Sequence, residues 1–296
     1  MEKISFYDQI AKNKRNSVFL TIVVAAILIG LFYLIGMLYK PQLIFLFLFA
    51  GSAITLIHVL VSYRVGDKII LKTTNAKPAD ERKHRYIIDT AEGLAIAAGI
   101  PAPKVYIVEN DEINAFAVGK GPKHASIALT TGAIEKLDRE ELEGVIGHEI
   151  SHIGNYDIRF ATLVAVLVGL IGIVSYMMLR SWRFQGSRNE RNNAGWIIIL
   201  VGLVLAIFAP IVSRLVQAAI SRKREYLADA NSAKLTRYPD GLADALEKIE
   251  KYNEGKMKIS ESISHLFFTD PNKSPLDNLF ATHPPIEKRI KVLREM

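Results

Sequence analysis

Four long apolar runs alternate with polar segments along the chain of 296 residues. They are Val18–Leu38, Leu43–Val61, Ala161–Leu179 and Trp196–Val216. Because a helix rises about 1.5 Å per residue and the hydrocarbon core of a bilayer is about 30 Å thick, each run is long enough to cross a membrane. The first and second runs lie close together in the sequence, and so do the third and fourth, whereas a long segment separates the second run from the third. This spacing predicts two transmembrane hairpins.

Shorter periodic patterns in the polar segments predict an α+β structure that is mainly α-helical. Helical periodicity extends over Ala79–Gly99 and Asp240–Tyr252, and a Gly-Pro turn is expected at Gly119–Pro122. Strand-like runs occur at Val105–Val108, Asn114–Ala117 and Ser126–Thr130. We therefore divide the chain into an N-terminal tail with the first hairpin (1–63), a first soluble half (64–157), the second hairpin (158–217) and a second soluble half (218–296).

Charge placement favours a membrane protein over a nucleic-acid-binding one. The formal net charge is +7, but the basic residues flank the apolar runs, and no nucleic-acid-binding motif accompanies them. The positive-inside rule places both chain ends and the soluble halves in the cytoplasm. An arginine-rich stretch, 180–195, would then lie outside if the last two runs both cross, which conflicts with that rule. A shallow or re-entrant second hairpin is the alternative.

The most specific chemical signal is the stretch from His148 to His152, which reads H-E-I-S-H. Histidines four residues apart lie on one face of a helix, so both can bind one metal ion. Glu149 is placed to take a proton from an attacking water. The chain has no cysteine, so a metal must be held by histidine and carboxylate side chains.

The helix that carries this motif is expected to begin at Asp138, because Glu141 follows at the spacing of a capping box. Its apolar positions should face the core and hold the histidine face rigid; they are Leu142, Val145, Ile146, Ile150 and Ile153. Gly144 and Gly147 weaken the helix by about 1 kcal/mol each relative to alanine. They would let a neighbouring strand or a substrate backbone come close.

A catalytic zinc site needs a third protein ligand, and three carboxylates are candidates. Asp157 is close in sequence, but its short side chain cannot easily reach round to the metal. Glu190 lies in the arginine-rich stretch. Glu225 is on a predicted helix with Asp229 one turn later, a pair that suits a ligand and a carboxylate that orients a ligating histidine. The alternative for Glu225 is a surface acid neutralised by the neighbouring Arg222 and Arg224.

Together, the H-E-x-x-H helix, the E-Y-x-A-D segment from Glu225, the N-A-F-A stretch from Asn114 and the late H-P-P-x-x-x-R segment from His283 resemble HtpX-type membrane-bound zinc metalloendopeptidases. The resemblance covers nearly the whole chain. It implies four transmembrane helices around a split, gluzincin-like zinc protease domain. It also implies a role in the quality control of misfolded membrane proteins. The predicted orientation places this cleavage at the cytoplasmic face of the cell membrane.

The same resemblance assigns roles to individual residues. It implies His148, His152 and Glu225 as ligands of one Zn²⁺ ion, Glu149 as the catalytic base and Asp229 as the carboxylate behind a ligand. His283 becomes a candidate for stabilising the oxyanion. The substrate would pair with an edge strand formed by Asn114, Ala115, Phe116 and Ala117.

Three other functions are less consistent with the sequence. A CAAX prenyl endopeptidase shares these motifs, but that type has seven spans. A transporter or channel is disfavoured because the apolar runs contain almost no ionisable residues. A non-proteolytic metal-binding scaffold would not need Glu149, since a structural zinc site closes its fourth position with a protein ligand. The sequence does not indicate an oligomeric state or a particular substrate.

Overall fold

The computed structural model describes residues 6–39, 41–167, 222–272 and 284–296, and positions 169, 176, 180 and 203 between the second and third of these ranges. The architecture is mainly helical with one small mixed sheet. The helices before the sheet are α1 (Phe6–Tyr39), α2 (Ile44–Thr73) and α3 (Arg85–Ala97). Those after it are α4 (Thr131–Lys136), α5 (Arg139–Gly154), α6 (Arg222–Thr236), α7 (Pro239–Tyr252), α8 (Glu261–Ser264) and α9 (Ile286–Arg294).

The sheet has four strands in the order β1 (Lys77–Pro78), β2 (Lys104–Val108), β4 (His124–Thr130), β3 (Ala115–Gly121). β2 and β4 are parallel, whereas β1–β2 and β3–β4 are antiparallel. The three predicted strands are present, but β3 continues through the expected turn as far as Gly121. Gly119 and Gly121, with φ of 150° and 141°, allow an irregular register there, so the strand bends instead of ending. β3 forms one edge of the sheet.

The helix α5 lies at the centre of the main hydrophobic core. Its predicted core residues are all buried, from Leu142, which is 4% exposed, to Ile153, which is 0% exposed. The capping box is also confirmed, since Asp138 accepts a hydrogen bond from the Glu141 N–H and Glu141 accepts one from the Asp138 N–H. The sequence therefore predicted both the start and the buried face of this helix.

Helices pack against the glycines of α5, so the expectation of a strand or a substrate backbone there was wrong. A Cβ on Gly144 would lie 2.8 Å from the backbone nitrogen of Leu242 on α7, and one on Gly147 would lie 2.8 Å from Ser232 Oγ on α6. Ser232 Oγ also donates a hydrogen bond to the Gly144 carbonyl at 2.6 Å. These close contacts bring α6 and α7 against the motif helix.

The predicted helix 79–99 begins late, at Arg85. Ala79 N–H donates to the Val105 carbonyl beside the sheet, and Asp80 accepts hydrogen bonds from the N–H groups of Arg82 and Lys83. These contacts hold the first residues in a turn. Gly99, at φ 69°, ends the helix region as predicted.

Two long helices form the N-terminal hairpin. α1 and α2 are joined by a 3₁₀ turn at Pro41–Leu43, and both extend beyond the predicted apolar runs. Residue 63, the predicted end of the hairpin part, lies inside α2, which continues as one helix until Ile70 and Leu71 pack in a hydrophobic core cluster beside the sheet. Within the described residues, one helical stretch, Pro41–Thr73, is long and apolar enough to span a bilayer, and a shorter apolar stretch is found at Thr21–Gly30.

The third apolar run begins directly after the motif helix. Residues 157–167 are helical, and Thr162 and Val166 pack against Gly66 of α2. Most of the third run after residue 167, the arginine-rich stretch and most of the fourth run lie outside the described residues. The division of the chain into four parts stays a prediction.

Candidate metal centre

Three side chains converge where α5 meets α6. His148 Nε2 and His152 Nε2 lie 3.0 Å apart, and the Glu225 carboxylate oxygens lie 3.6 Å from the first and 3.5 Å from the second. His148 and Glu225 are buried, and His152 is largely so. The structure thus brings together the three predicted ligands. Two of them lie on α5, and the third comes from the other half of the chain.

This arrangement fits a zinc ion. Donor atoms about 2.0–2.2 Å from a tetrahedral ion lie about 3.3–3.6 Å from each other, close to the separations between these three side chains. Burial by itself lowers the pKa of His152. The hydrogen bond to Asp157 and the negative charges of Glu225 and Glu149 outweigh it and raise that pKa to about 9. The carboxylates around this ring therefore favour its charged form.

Behind His148 lies a buried ion pair. His148 Nδ1 lies 2.9 Å from Asp229 Oδ1, and Arg289 donates to both Asp229 oxygens, from Nη2 at 2.6 Å and from Nε at 2.9 Å. Burial raises the pKa of Asp229, but the charge of Arg289 and the hydrogen bonds from His148 and Arg289 bring it to about 2. Asp229 is therefore ionised and accepts the Nδ1–H of His148, which leaves Nε2 facing the site.

No functional role for Arg289 was predicted from the sequence. It is completely buried, and its guanidinium also lies 4.7 Å from the centre of the Phe268 ring. The only signal was its place as the last letter of the H-P-P-x-x-x-R segment, which carried the resemblance without indicating a contact.

A second carboxylate lies behind His152. Asp157 Oδ2 is 3.1 Å from His152 Nδ1, and Arg224 Nη1 is 3.4 Å from Asp157 Oδ1. The sequence makes Asp157 a candidate metal ligand, but Asp157 is outside the group of three donors. Glu225 is 2% exposed, so it is not a surface acid, and the neighbouring Arg224 pairs with Asp157.

Glu149 lines the cleft beside this cluster. The cleft is bounded by α5, by the start of the 157–167 helix and by residues 265–268. Glu149 is 2% exposed and stands next to the first histidine on the helix. Apolar side chains form much of the remaining wall; they are Ala117, Ile158, Ala161, Leu266, Phe267 and Phe268.

The chain itself covers the strand predicted to bind substrate. Residues 266–269, which we call the covering segment, run along the outer edge of β3. Phe267 forms an antiparallel bridge with Phe116, and Phe268 N–H donates to the Ala115 carbonyl at 2.7 Å. Phe268 also packs edge-on against the His148 ring, with centroids 4.8 Å apart.

Asn114 holds this segment in place. Its Nδ2 donates to the Thr269 carbonyl at 3.0 Å, and its Oδ1 accepts the Thr269 N–H at 3.3 Å. Of the four predicted substrate-binding residues, Ala117 lines the cleft directly. His283 and Glu190 lie outside the described residues.

Comparison with known proteins identifies the family. The profile of peptidase family M48 matches residues 81–296. The chain belongs to peptidase family M48. The proteins named "Protease HtpX homolog" from Dictyoglomus thermophilum and Listeria monocytogenes are 43% and 40% identical to it. These alignments cover 100% and 98% of the chain and 96% and 99% of the relatives.

A solved structure shows the same fold. The crystal structure of S. mikatae Ste24p superposes with a TM-score of 0.52 at 17% identity, covering 96% of this chain and 67% of that one. The family membership makes the chain a metallopeptidase, a hydrolase of peptide bonds. The predicted resemblance to HtpX-type proteases is confirmed.

Proposed function

We propose that the chain is a membrane-anchored zinc endopeptidase that cleaves misfolded or membrane proteins at the cytoplasmic face of the cell membrane. The observation that carries this proposal is the buried cluster of His148, His152 and Glu225, with Glu149 lining the same cleft. Three protein donors leave a fourth position for water or substrate, as catalytic zinc sites do.

The residues of the cleft divide the chemistry between them. A bound zinc ion would polarise the scissile carbonyl and make the attacking water more acidic. Glu149 accepts the proton from that water and passes it to the nitrogen of the departing amine. Asp229 holds the His148 ring in one orientation, and the buried setting strengthens each of these electrostatic interactions. His283 remains our candidate for an additional oxyanion donor.

The position of the cleft supports membrane substrates. Asp157 and Ile158 line it at the start of the 157–167 helix, which leads into the third apolar run. The exposed surface of α2 is rich in large apolar side chains; they include Phe45, Leu46, Phe49, Ile54, Leu56 and Ile57. Such a surface suits contact with lipid, and the basic flanks favour a multi-pass topology with both ends cytoplasmic.

Sealed membrane vesicles test the metal and the orientation together. Inverted vesicles should cleave an unfolded soluble protein added outside, whereas right-side-out vesicles should do so only after detergent opens them. Chelation should abolish the activity and zinc should restore it. Activity that survives complete zinc removal would contradict the metal role. Equal rates in the two sealed vesicle types would contradict the cytoplasmic site.

We further propose that a substrate peptide binds by pairing with β3 in the place of the covering segment. Strand addition uses the N–H and C=O groups along an open sheet edge. The covering segment occupies that edge beside the catalytic cluster, with Phe268 bonded to Ala115. A peptide in the same position would pass next to Glu149.

A reversible cross-link tests this exchange. Phe116 and Phe267 face each other as an antiparallel pair beside a ladder hydrogen bond, so their Cα atoms should be about 4.5 Å apart, within disulfide range. The chain has no cysteine, so a Phe116→Cys/Phe267→Cys variant carries only the new pair. We expect oxidation to slow peptide cleavage at least roughly tenfold, equivalent to about 1.4 kcal/mol of binding.

The reduced double variant is the matched control, because it has the same altered packing. Each single cysteine variant should be insensitive to oxidation. If the cross-link forms completely and the cleavage rate does not change, the peptide binds elsewhere.

A further inference from the structure

We propose that Asp157 is a positioning residue for the zinc ligand His152 and that Arg224 holds Asp157 in place. The inference rests on the proposed zinc site and adds two residues to it. Its starting point is the 3.1 Å contact between His152 Nδ1 and Asp157 Oδ2. A carboxylate in this position accepts the Nδ1–H of the imidazole, which fixes the tautomer and directs the Nε2 lone pair to the metal.

The local backbone is shaped to make this contact. α5 ends at Gly154, and Tyr156 then adopts a left-handed conformation with φ 62°. The Tyr156 ring packs over Gly121, where a Cβ would come within 2.7 Å of it. A left-handed tyrosine is strained and persists where surrounding contacts impose it. The turn brings Asp157 back beside the last turn of the motif helix.

Arg224 uses the other oxygen of the same carboxylate. Its Nη1 lies 3.4 Å from Asp157 Oδ1, and the two side chains are 12% and 11% exposed. The guanidinium also lies 5.7 Å from the centre of the Phe160 ring. Asp157 therefore has a separate partner for each oxygen, so its carboxylate cannot rotate freely about the His152 contact.

The two ligating histidines thus have the same kind of support. His148 is backed by Asp229 and Arg289, and His152 by Asp157 and Arg224. In each case, an arginine fixes the carboxylate that orients the ring.

The Asp157–Arg224 pair also joins the two halves of the soluble domain. Asp157 precedes the third apolar run, whereas Arg224 follows the fourth and precedes the ligand Glu225. The packing of α6 against α5 therefore positions the third donor, Glu225, and at the same time orients the ring of His152.

Zinc affinity of the full-length protein, measured by competition with a chelator, tests the proposal. We expect Asp157→Ala to weaken zinc binding by about 10- to 100-fold. Asp157→Asn keeps an acceptor oxygen without the charge, so its loss should be smaller, and Arg224→Gln should also give a partial loss. Cobalt substitution adds a second readout, because a reoriented imidazole should alter the visible spectrum of the bound ion.

Asp89→Asn serves as the matched control, since Asp89 is an exposed acid paired with Arg85 on α3. It should bind zinc as the wild type does. If the Asp157→Ala protein is misfolded, the nearly isosteric Asn variant decides. Unchanged zinc affinity and an unchanged cobalt spectrum in a folded Asp157 variant would overturn the inference. If the wild type itself fails to bind zinc, the proposed function fails instead.

Discussion

Replacing Glu149 with glutamine should lower the rate of peptide cleavage by roughly 10²- to 10⁴-fold. Glutamine has nearly the same size and shape, but its amide cannot accept the proton of the attacking water. Glu149 is outside the group of three donors, so the variant should retain zinc in the same proportion as the wild type. The measurement is kcat/KM on an unfolded protein substrate in detergent, with bound zinc counted per chain.

The comparison variant is His152→Ala, which should lose both zinc and activity because it removes a donor. Full activity in Glu149→Gln would exclude Glu149 as the base. If wild type and variant bind one zinc each and are equally inert, on unfolded membrane proteins as well, this chain would be a metal-binding scaffold despite its family.

Replacing Arg289 with leucine should lower the free energy of unfolding by about 3–5 kcal/mol. The substitution removes the partner of Asp229 while leaving that carboxylate buried and ionised beside His148. An uncompensated buried charge is costly, and typical domains are stable by only about 5–15 kcal/mol. Chemical denaturation in mild detergent, followed by circular dichroism, measures the change.

Arg294 provides a control on the same helix. It pairs with Asp240, Asp244 and Glu247 at the surface, and exposed ion pairs contribute little, so Arg294→Gln should cost at most about 1 kcal/mol. Arg289→Lys should fall between the two, because lysine keeps the charge but loses the two-point contact. Equal decreases in the free energy of unfolding for Arg289→Leu and Arg294→Gln would show that the buried ion pair contributes no more to stability than the exposed ones.

The sequence by itself determined what depends on neighbouring residues. The four-residue spacing of His148 and His152 sets their common face, because helix geometry is local. The Asp138–Glu141 box sets the start of α5 for the same reason. The buried face of that helix followed from its periodicity. The composition of residues 43–61 is likewise local, and it predicted the apolar character of α2.

Where the local sequence pattern predicted the wrong structure, a contact with a distant part of the chain explains the difference. Residues 79–84 have helical composition, but the hydrogen bond from Ala79 to Val105 ties them to the sheet. The glycines of α5 could be expected to admit some close neighbour. Only the packing showed that this neighbour is helical, since α6 and α7 come from the other end of the chain.

The support of the candidate metal site was decided by tertiary structure. Asp229 lies 81 positions after His148, and Arg289 lies a further 60 positions on. Such pairings leave no periodic pattern in the sequence, so a motif can mark these residues without showing what they contact. The pairing of Asp157 with Arg224 and the covering of β3 by residues 266–269 belong to the same class. The sequence marked the candidate ligands and the candidate base, and only folding around α5 could place the groups that orient them, because those groups meet through packing rather than through spacing.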